Sequence, residues 1–271
     1  MNQTKSFPYH RANISNTGVI FSFFEKIIRS HPLSYFLVRN FIRFTNIFEK
    51  DFDGVKILNL ENKANIIDIG ASDGIASKFF NNNLNIGSII CYEPDSYYIN
   101  ILKKIKIKNL IVKPYAIGNT NGYKTVFFPR YKLFSKNFDL ITYTHYDKKL
   151  LNYFLLDFKF RKNISIIRKK IFIRKVKKIN KKIDLIKIDT NGFELPVIKG
   201  LLHIIKQDRP ALIIELNEDE KKIEKLLKKF SYKAYYYSTD RKELTFKKKG
   251  YSINKYFLQK KHLIKKVENL Y

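Results

Sequence analysis

Ile66-Ile67-Asp68-Ile69-Gly70-Ala71-Ser72-Asp73-Gly74 is an apolar run that ends in an acid, turns through two glycines and leads into a helical segment. A strand buried on both faces is continuously apolar, so the run reads as a core strand delivering its last residues to a turn. Gly70, lacking a Cβ, can adopt torsions other residues resist and lets the backbone approach a ligand. Gly74 allows tight packing where the helix begins and exposes its first unpaired N–H groups. The spacing is Gly-x-x-x-Gly, not the Gly-x-Gly-x-x-Gly that cradles a dinucleotide pyrophosphate, so an NAD-dependent dehydrogenase ranks last among the readings.

Outward from this turn, short apolar runs bounded by turn residues alternate with helical segments, which predicts an α/β domain with a parallel sheet. Strands are expected at 65–69, 88–92, 110–116, 183–189 and 211–216, and helices at 74–82, 96–106, 195–205 and 219–230. Segments 232–237 and 256–258 are expected to add antiparallel edge strands. Upstream, residues 17–49 carry apolar side chains at helical spacing, which predicts two helices separated near 30–32. The other face of these helices holds Lys26, Arg29, Arg39 and Arg43. It admits two readings, packing on the main domain, which is preferred, or contact with an anionic membrane surface. Residues 123–180 interrupt the α/β rhythm with a strand-like 125–128, a polar aromatic stretch and an alternating 171–176. Inserts after strand ends overhang the ligand crevice of such sheets, so this one is the expected substrate lid. The resulting division is an N-terminal helical extension at 1–60, an α/β domain at 61–259 and a basic tail at 260–271.

The 271 residues suffice for one sizeable domain with attachments, and a 45% hydrophobic content excludes a disordered chain. A single cysteine, Cys91, excludes an internal disulfide and multi-cysteine zinc sites, and no metal is expected. No apolar stretch reaches the roughly 18 residues of a membrane span and no signal peptide is visible, so the expected location is the cytoplasm, or the inner face of the membrane if the basic helices bind it. The formal charge of +29 suits a polyanionic partner, but the richness in Lys, Ile, Asn, Phe and Tyr is also what A/T-rich codons over-supply, and that reading is preferred.

About 20 residues past the glycine turn, a nucleoside-binding sheet places an acid that grips the ribose hydroxyls. Glu93, in Cys91-Tyr92-Glu93-Pro94-Asp95, answers, and a carboxylate can accept two hydrogen bonds from a vicinal diol. A third element, Lys187-Ile188-Asp189-Thr190-Asn191-Gly192-Phe193-Glu194, ends a buried strand with two acids, and its carboxyl end is expected to border the crevice of the first strand. Asn191 and Glu194 also stand where a helix cap and a first-turn dipole partner belong.

These elements, in this order, resemble the FkbM family of methyltransferases over roughly residues 65–217. The matching pieces are the Ile67–Gly74 turn, Tyr92-Glu93-Pro94, Ala116-Ile117-Gly118-Asn119, the strand from Lys187 to Glu194 with Lys199-Gly200, and Arg209-Pro210 leading to Glu215. The resemblance implies a Rossmann-like, seven-stranded, mostly parallel sheet with helices on both faces, the class I methyltransferase fold, preceded here by N-terminal helices. It implies S-adenosylmethionine as cofactor and O-methylation of a hydroxyl on a sugar, glycan or other small molecule. Cofactor contacts are then expected from Asp68, Gly70, Ala71, Ser72, Gly74, Glu93, Pro94, Ala116 and Asp189. Asp189, Glu194 and His145 are the candidates for proton removal, His145 because its ordinary pKa lies near neutrality. The chain departs from the family at Asn191, where a Glu is usual, and at Lys177-Lys178, where an acidic pair is usual. The +29 charge motivates one alternative, an RNA methyltransferase, and the two departures another, a non-catalytic relative that keeps the fold. Oligomeric state is not readable from the sequence.

Overall fold

Alternate residues of β1 (Ala64–Ile69) enter two different cores. Ile66 packs in the cluster of Phe79, Phe80, Leu185 and Tyr256, whereas Ile67 and Ile69 pack in that of Ile186, Ile188, Val197 and Leu212. A strand that is apolar on both sides belongs inside a sheet covered by helices. β1 accordingly pairs in parallel with β2 (Ile86–Tyr92) on one side and with β8 (Leu185–Ile188) on the other. β3 (Leu110–Lys113) continues the parallel sheet beyond β2, and β9 (Ala211–Glu215) beyond β8. The antiparallel strands β12 (Asn254–Leu258), β10 (Lys233–Ser238) and β11 (Glu243–Thr245) complete the order β11-β10-β12-β9-β8-β1-β2-β3. This computed structural model describes residue 27 and residues 30–45, 49–248 and 252–263.

Helices α2 (Ile75–Asn83) and α3 (Ser96–Leu102) supply the first core with Phe79, Phe80 and Leu102. Helices α5 (Glu194–Gly200), α6 (Leu202–Asp208) and α7 (Glu220–Lys228) supply the second with Val197, Ile198, Ile205, Ile223 and Leu227. The architecture is the expected mostly parallel α/β sheet with helices on both faces, with eight strands rather than seven. The chain runs β1-β2-β3 in one direction and returns to place β8 against the other edge of β1, so the switch point lies between β1 and β8. Ligands of open α/β sheets bind at the carboxyl ends of such strands.

Three elements differ from the sequence reading. The strand expected at 110–116 stops at Lys113, because Pro114 cannot donate to the ladder. The chain then re-enters a second sheet as β4 (Ala116–Ile117). The helix expected at 195–205 divides in two at Gly200-Leu201, where a Cβ on Gly200 would lie 2.3 Å from the carbonyl oxygen of Gly118. The strand expected at an edge near 256–258, β12, is interior, between β9 and β10, and all five of its residues are buried.

The insert folds as a separate four-stranded sheet, β4-β7-β5-β6. Its body is the long antiparallel pair of β5 (Gly122–Leu133) and β7 (Ile164–Arg174), in register from Gly122↔Ile173 to Tyr131↔Ile164, with β6 (Lys136–Asp139) on the β5 edge. Helix α4 (Lys148–Phe154), capped by Asp147, lies between β6 and β7. The N-terminal helix α1 (Pro32–Thr45) packs on this insert, Tyr35 and Val38 joining Leu140, Leu151, Leu155 and Phe158 in one cluster. The preceding helix expected within 17–29, with Lys26 and Arg29, and the end of the basic tail at 264–271 lie outside the described residues. Among the described residues, no helix is long and apolar enough to cross a membrane.

Candidate functional site

The end of β1 is tied to both of its neighbours before the chain turns. Gly70 and Ala71 donate their N–H groups to the Tyr92 carbonyl at 3.0 and 3.3 Å, and Asp189 donates its own to the Ile69 carbonyl at 3.0 Å. Gly70 has φ +71, and a Cβ there would sit 1.8 Å from the Asp189 carbonyl oxygen. Its freedom therefore serves first to let the ends of β1 and β8 converge, a packing role more than the ligand approach read from the sequence. Gly74, at φ +76, has Ile105 and Leu102 where its side chain would be and does not line the cavity.

Glu93 closes the turn from the far side. Its Oε2 accepts the Ser72 N–H at 2.9 Å and its Oε1 the Asp95 N–H at 2.8 Å, so one carboxylate fastens the turn to the end of β2. Burial pushes its pKa up to about 7 against the lowering effect of those two donors. Each oxygen keeps a further lone pair for a ligand.

Above these strand ends lies a cavity of about 270 Å³. Of the residues expected to hold a cofactor, Gly70, Ala71, Ser72, Glu93, Pro94, Ala116 and Asp189 line it. Asp68 stands behind the wall, fully buried, with Oδ2 accepting the Ser77 hydroxyl at 2.7 Å and Oδ1 lying 3.6 Å from the Lys187 ammonium without a hydrogen bond. Lys187 also reaches Asp189 at 3.2 Å and the Gly70 carbonyl at 3.4 Å. Burial alone would lower its pKa, but the carboxylates of Asp189, Asp68 and Glu49 hold it well above the usual lysine range.

Glu194 is not on the cavity wall. Its two oxygens take the N–H groups of Thr190 and Gly192, the Thr190 hydroxyl and the Asn217 amide, so the carboxylate clamps the loop after β8. Glu215, at the end of β9, does line the cavity. Burial raises its pKa well above the carboxylate range, reinforced by the neighbouring charges of Asp189 and Glu194.

A second cleft, also about 270 Å³, adjoins the first and is walled by the insert. Thr142, Thr144, Asn191 and Glu215 line both spaces. Tyr143, Leu150, Tyr153 and Phe154 give the cleft an apolar wall, and Glu218 stands beside Glu215. His145 belongs to this cleft and not to the cavity. Its Nδ1 accepts the Asp147 N–H at 2.8 Å, which puts the proton of the neutral ring on Nε2, and burial lowers its pKa. Of the family departures, Asn191 sits at the junction with φ +51, whereas Lys177 and Lys178 are exposed and line neither space.

Helix α1 reaches the same cavity. Arg39 bonds the carboxylate of Asp73 at 2.5 Å and Arg43 does so at 3.2 Å, and Asp73 is only 2% exposed. These two arginines of the basic face are thus turned onto the glycine turn. Among the charged residues of the cavity, Arg39, Glu49, Asp73, Asp95, Lys169, Lys187 and Glu215 were given no cofactor or catalytic role by the sequence reading.

Residues 68–253 match the Methyltransferase FkbM domain. Among solved structures, a methyltransferase FkbM from Methylobacillus flagellatus KT is similar at 16% identity over 74% of this chain, with a TM-score of 0.45. This chain spans only 45% of the length of that protein. A precorrin-6y C5,15-methyltransferase from Geobacter metallireducens GS-15 shares 13% identity over 77% of this chain and 84% of its own, at a TM-score of 0.37. TrmK of M. capricolum, solved with S-adenosyl-homocysteine, shares 14% identity over 80% of this chain and 70% of its own, at a TM-score of 0.38. A search of curated proteins returns no match.

Proposed function

The chain belongs to the FkbM methyltransferase family, and on that premise we propose that it transfers a methyl group from S-adenosylmethionine to a hydroxyl of an uncharged sugar, glycan or other small acceptor. The observation that carries the acceptor class is the lining of the second cleft. In a chain with 53 Lys and Arg residues, none of the described residues around this cleft is Lys or Arg, and two are Glu. Glutamates beside the transfer point repel a phosphodiester and tolerate a neutral polyol whose apolar face rests on Tyr143, Tyr153 and Phe154. This weighs against RNA as acceptor despite the net charge.

The first cavity fits the cofactor because a buried carboxylate, Glu93, stands at the end of β2 with lone pairs for a ribose diol, and because the opposite end is rich in carboxylates. Bound there, S-adenosylmethionine supplies a methyl carried on a sulfonium. Glu93 holds the ribose, while Ala71, Ser72, Pro94 and Ala116 shape the walls. The acceptor enters from the second cleft, and its oxygen is aligned at the junction formed by Thr142, Thr144, Asn191 and Glu215. Alignment of the reacting atoms lowers the barrier by removing the entropy of encounter. The proton released from the acceptor hydroxyl would pass to Glu215 at that junction, whose raised pKa suits it to take one, or to Asp189 in the adjoining cavity. Glu194 keeps the loop in place, and His145 Nε2 closes over Gly192, where a Cβ would meet it at 2.8 Å.

A thermal melt of the whole chain with S-adenosylmethionine and with S-adenosylhomocysteine tests the cofactor, since a ligand that binds only the native state raises the melting temperature. A rise with both is expected, and no rise with either at saturation overturns the proposal. Methyl transfer to a panel of hydroxylated acceptors then separates an enzyme from a relative that merely binds the cofactor.

A further inference from the structure

Resting on the reading of the first cavity as the cofactor site, we infer that Glu49 binds the α-ammonium of the cofactor's amino-acid end. Glu49 precedes the matched domain, on the segment between α1 and the short helix Lys50–Ile57, and lines the cavity with Gly70, Lys187, Asp189 and Glu215. That is the end opposite Glu93.

The side chain is held in place and left half satisfied. Its Oε2 accepts the Asn254 amide at 2.9 Å, while Oε1 has no hydrogen-bond partner among the described residues. Asn254 is itself fixed, its N–H bonded at 2.9 Å to Asp51, and Asp51 is fully engaged by the Ile253 N–H and the Ser252 hydroxyl as well. Glu49 thus presents one free oxygen to an enclosed space from a rigid support, the condition for binding a cation with little ordering cost.

The charges of the cavity leave a gap of the right sign. Arg39 is matched by Asp73 and Lys169 by Asp95, and Glu93 is bonded to two backbone N–H groups. Lys187 answers Asp68, whose buried Oδ1 still lacks a hydrogen bond. Lys187 also meets Asp189 at 3.2 Å, so this one ammonium stands among the carboxylates of Asp68, Asp189, Glu215 and Glu49, and acids outnumber cations around it. The amino-acid end of the cofactor carries two positive groups, the ammonium and the sulfonium. Burial and the charges of Asp51 and Asp189 push the Glu49 pKa up to about 8, opposed by the Asn254 bond and by Lys187, which favours the acid form when no further cation is in contact. An ammonium in contact restores the carboxylate and releases the proton.

Calorimetry on the whole chain with three probes tests this. S-adenosylmethionine and S-adenosylhomocysteine both carry the ammonium, and 5′-methylthioadenosine lacks the amino-acid end. Glu49→Gln keeps an acceptor for Asn254 and removes the charge. It is expected to weaken the first two probes by roughly ten- to a hundredfold and to leave the third within about twofold. In the wild type near pH 7, the dependence of the binding enthalpy on buffer ionisation is expected to show more proton release with S-adenosylmethionine than with 5′-methylthioadenosine. Equal release, unchanged affinities in Glu49→Gln, or equal weakening of all three probes overturns the inference while the cofactor reading stands. If the wild type binds none of the probes, the cofactor reading falls and the inference falls with it.

Discussion

The first cavity and the adjoining cleft share four residues and are built from opposite materials. The floor of the cavity is made of strand ends, with backbone bonds from Gly70 and Ala71 to Tyr92 and from Asp189 to Ile69 locking three parallel strands within a few ångströms, while Val126, Phe128, Tyr146 and Ile171 of the insert cover it. The cleft is made of side chains from an insert, a short helix and the loop after β9, with Tyr153 and its neighbours on a wall that no strand ladder fixes. A site fixed by backbone pairing must be reproduced to keep the fold, whereas one fixed by side chains on an insert can change its occupant at little cost in stability. On the proposed function the cavity is the cofactor half, tied to the fold, and the cleft is the acceptor half, free to differ without cost to the fold.

The largest effect is expected where the strand ends converge beneath the cavity. Gly70→Ala forces a Cβ into the Asp189 carbonyl at positive φ, and should destabilise the chain by roughly 3–5 kcal/mol in urea unfolding and abolish cofactor binding. A variant as stable as the wild type would break the claim that strand convergence builds the cavity. Next is the boundary itself. Glu215→Gln should lower turnover on a hydroxyl acceptor by about a hundredfold or more, about 2.7 kcal/mol in the barrier, with cofactor affinity within about twofold. Equal losses in affinity and turnover would place Glu215 in the cofactor half alone.

A smaller effect tests Glu93 by pH. Its pKa of about 7 means that the carboxylate fraction rises as pH passes upward through 7, so affinity for 5′-methylthioadenosine should increase about tenfold between pH 6 and pH 8 and level off above. A flat profile, or one that survives in Glu93→Gln, would remove Glu93 from the ribose. The smallest change is expected on the cleft wall. Tyr153 is 47% exposed, so Tyr153→Ala should raise the acceptor KM about threefold to tenfold while leaving stability within about 0.5 kcal/mol. A loss of stability without a change in KM would make it a packing residue only.

Much of the cofactor half was legible because its signals are local. The apolar run to Asp68, the two glycines, the acid at Glu93 and the strand ending at Asp189 each occupy a few consecutive residues, and the switch-point rule places their ends together. Glu215 was within reach of the same rule, since it ends the strand next to β8, but nothing in its neighbours marks it as the residue shared by two spaces. The position of Glu194 was hidden for a related reason. A carboxylate in a helix's first turn looks available in sequence, and only the folded loop shows both oxygens taken by Thr190, Gly192 and Asn217.

By itself the sequence determined the parallel sheet, the turn at Gly70 and the carboxylate at Glu93, since strand periodicity, glycine torsions and motif spacing act over a handful of residues. Only the tertiary structure decided that Arg39 grips Asp73 and that Glu49 leans on Asn254, 205 positions away. It alone set the cleft's lack of basic residues in a chain of charge +29. Those outcomes depend on which surfaces the N-terminal segment and the insert bury against the sheet, and burial is a property of the packed whole that no local pattern encodes.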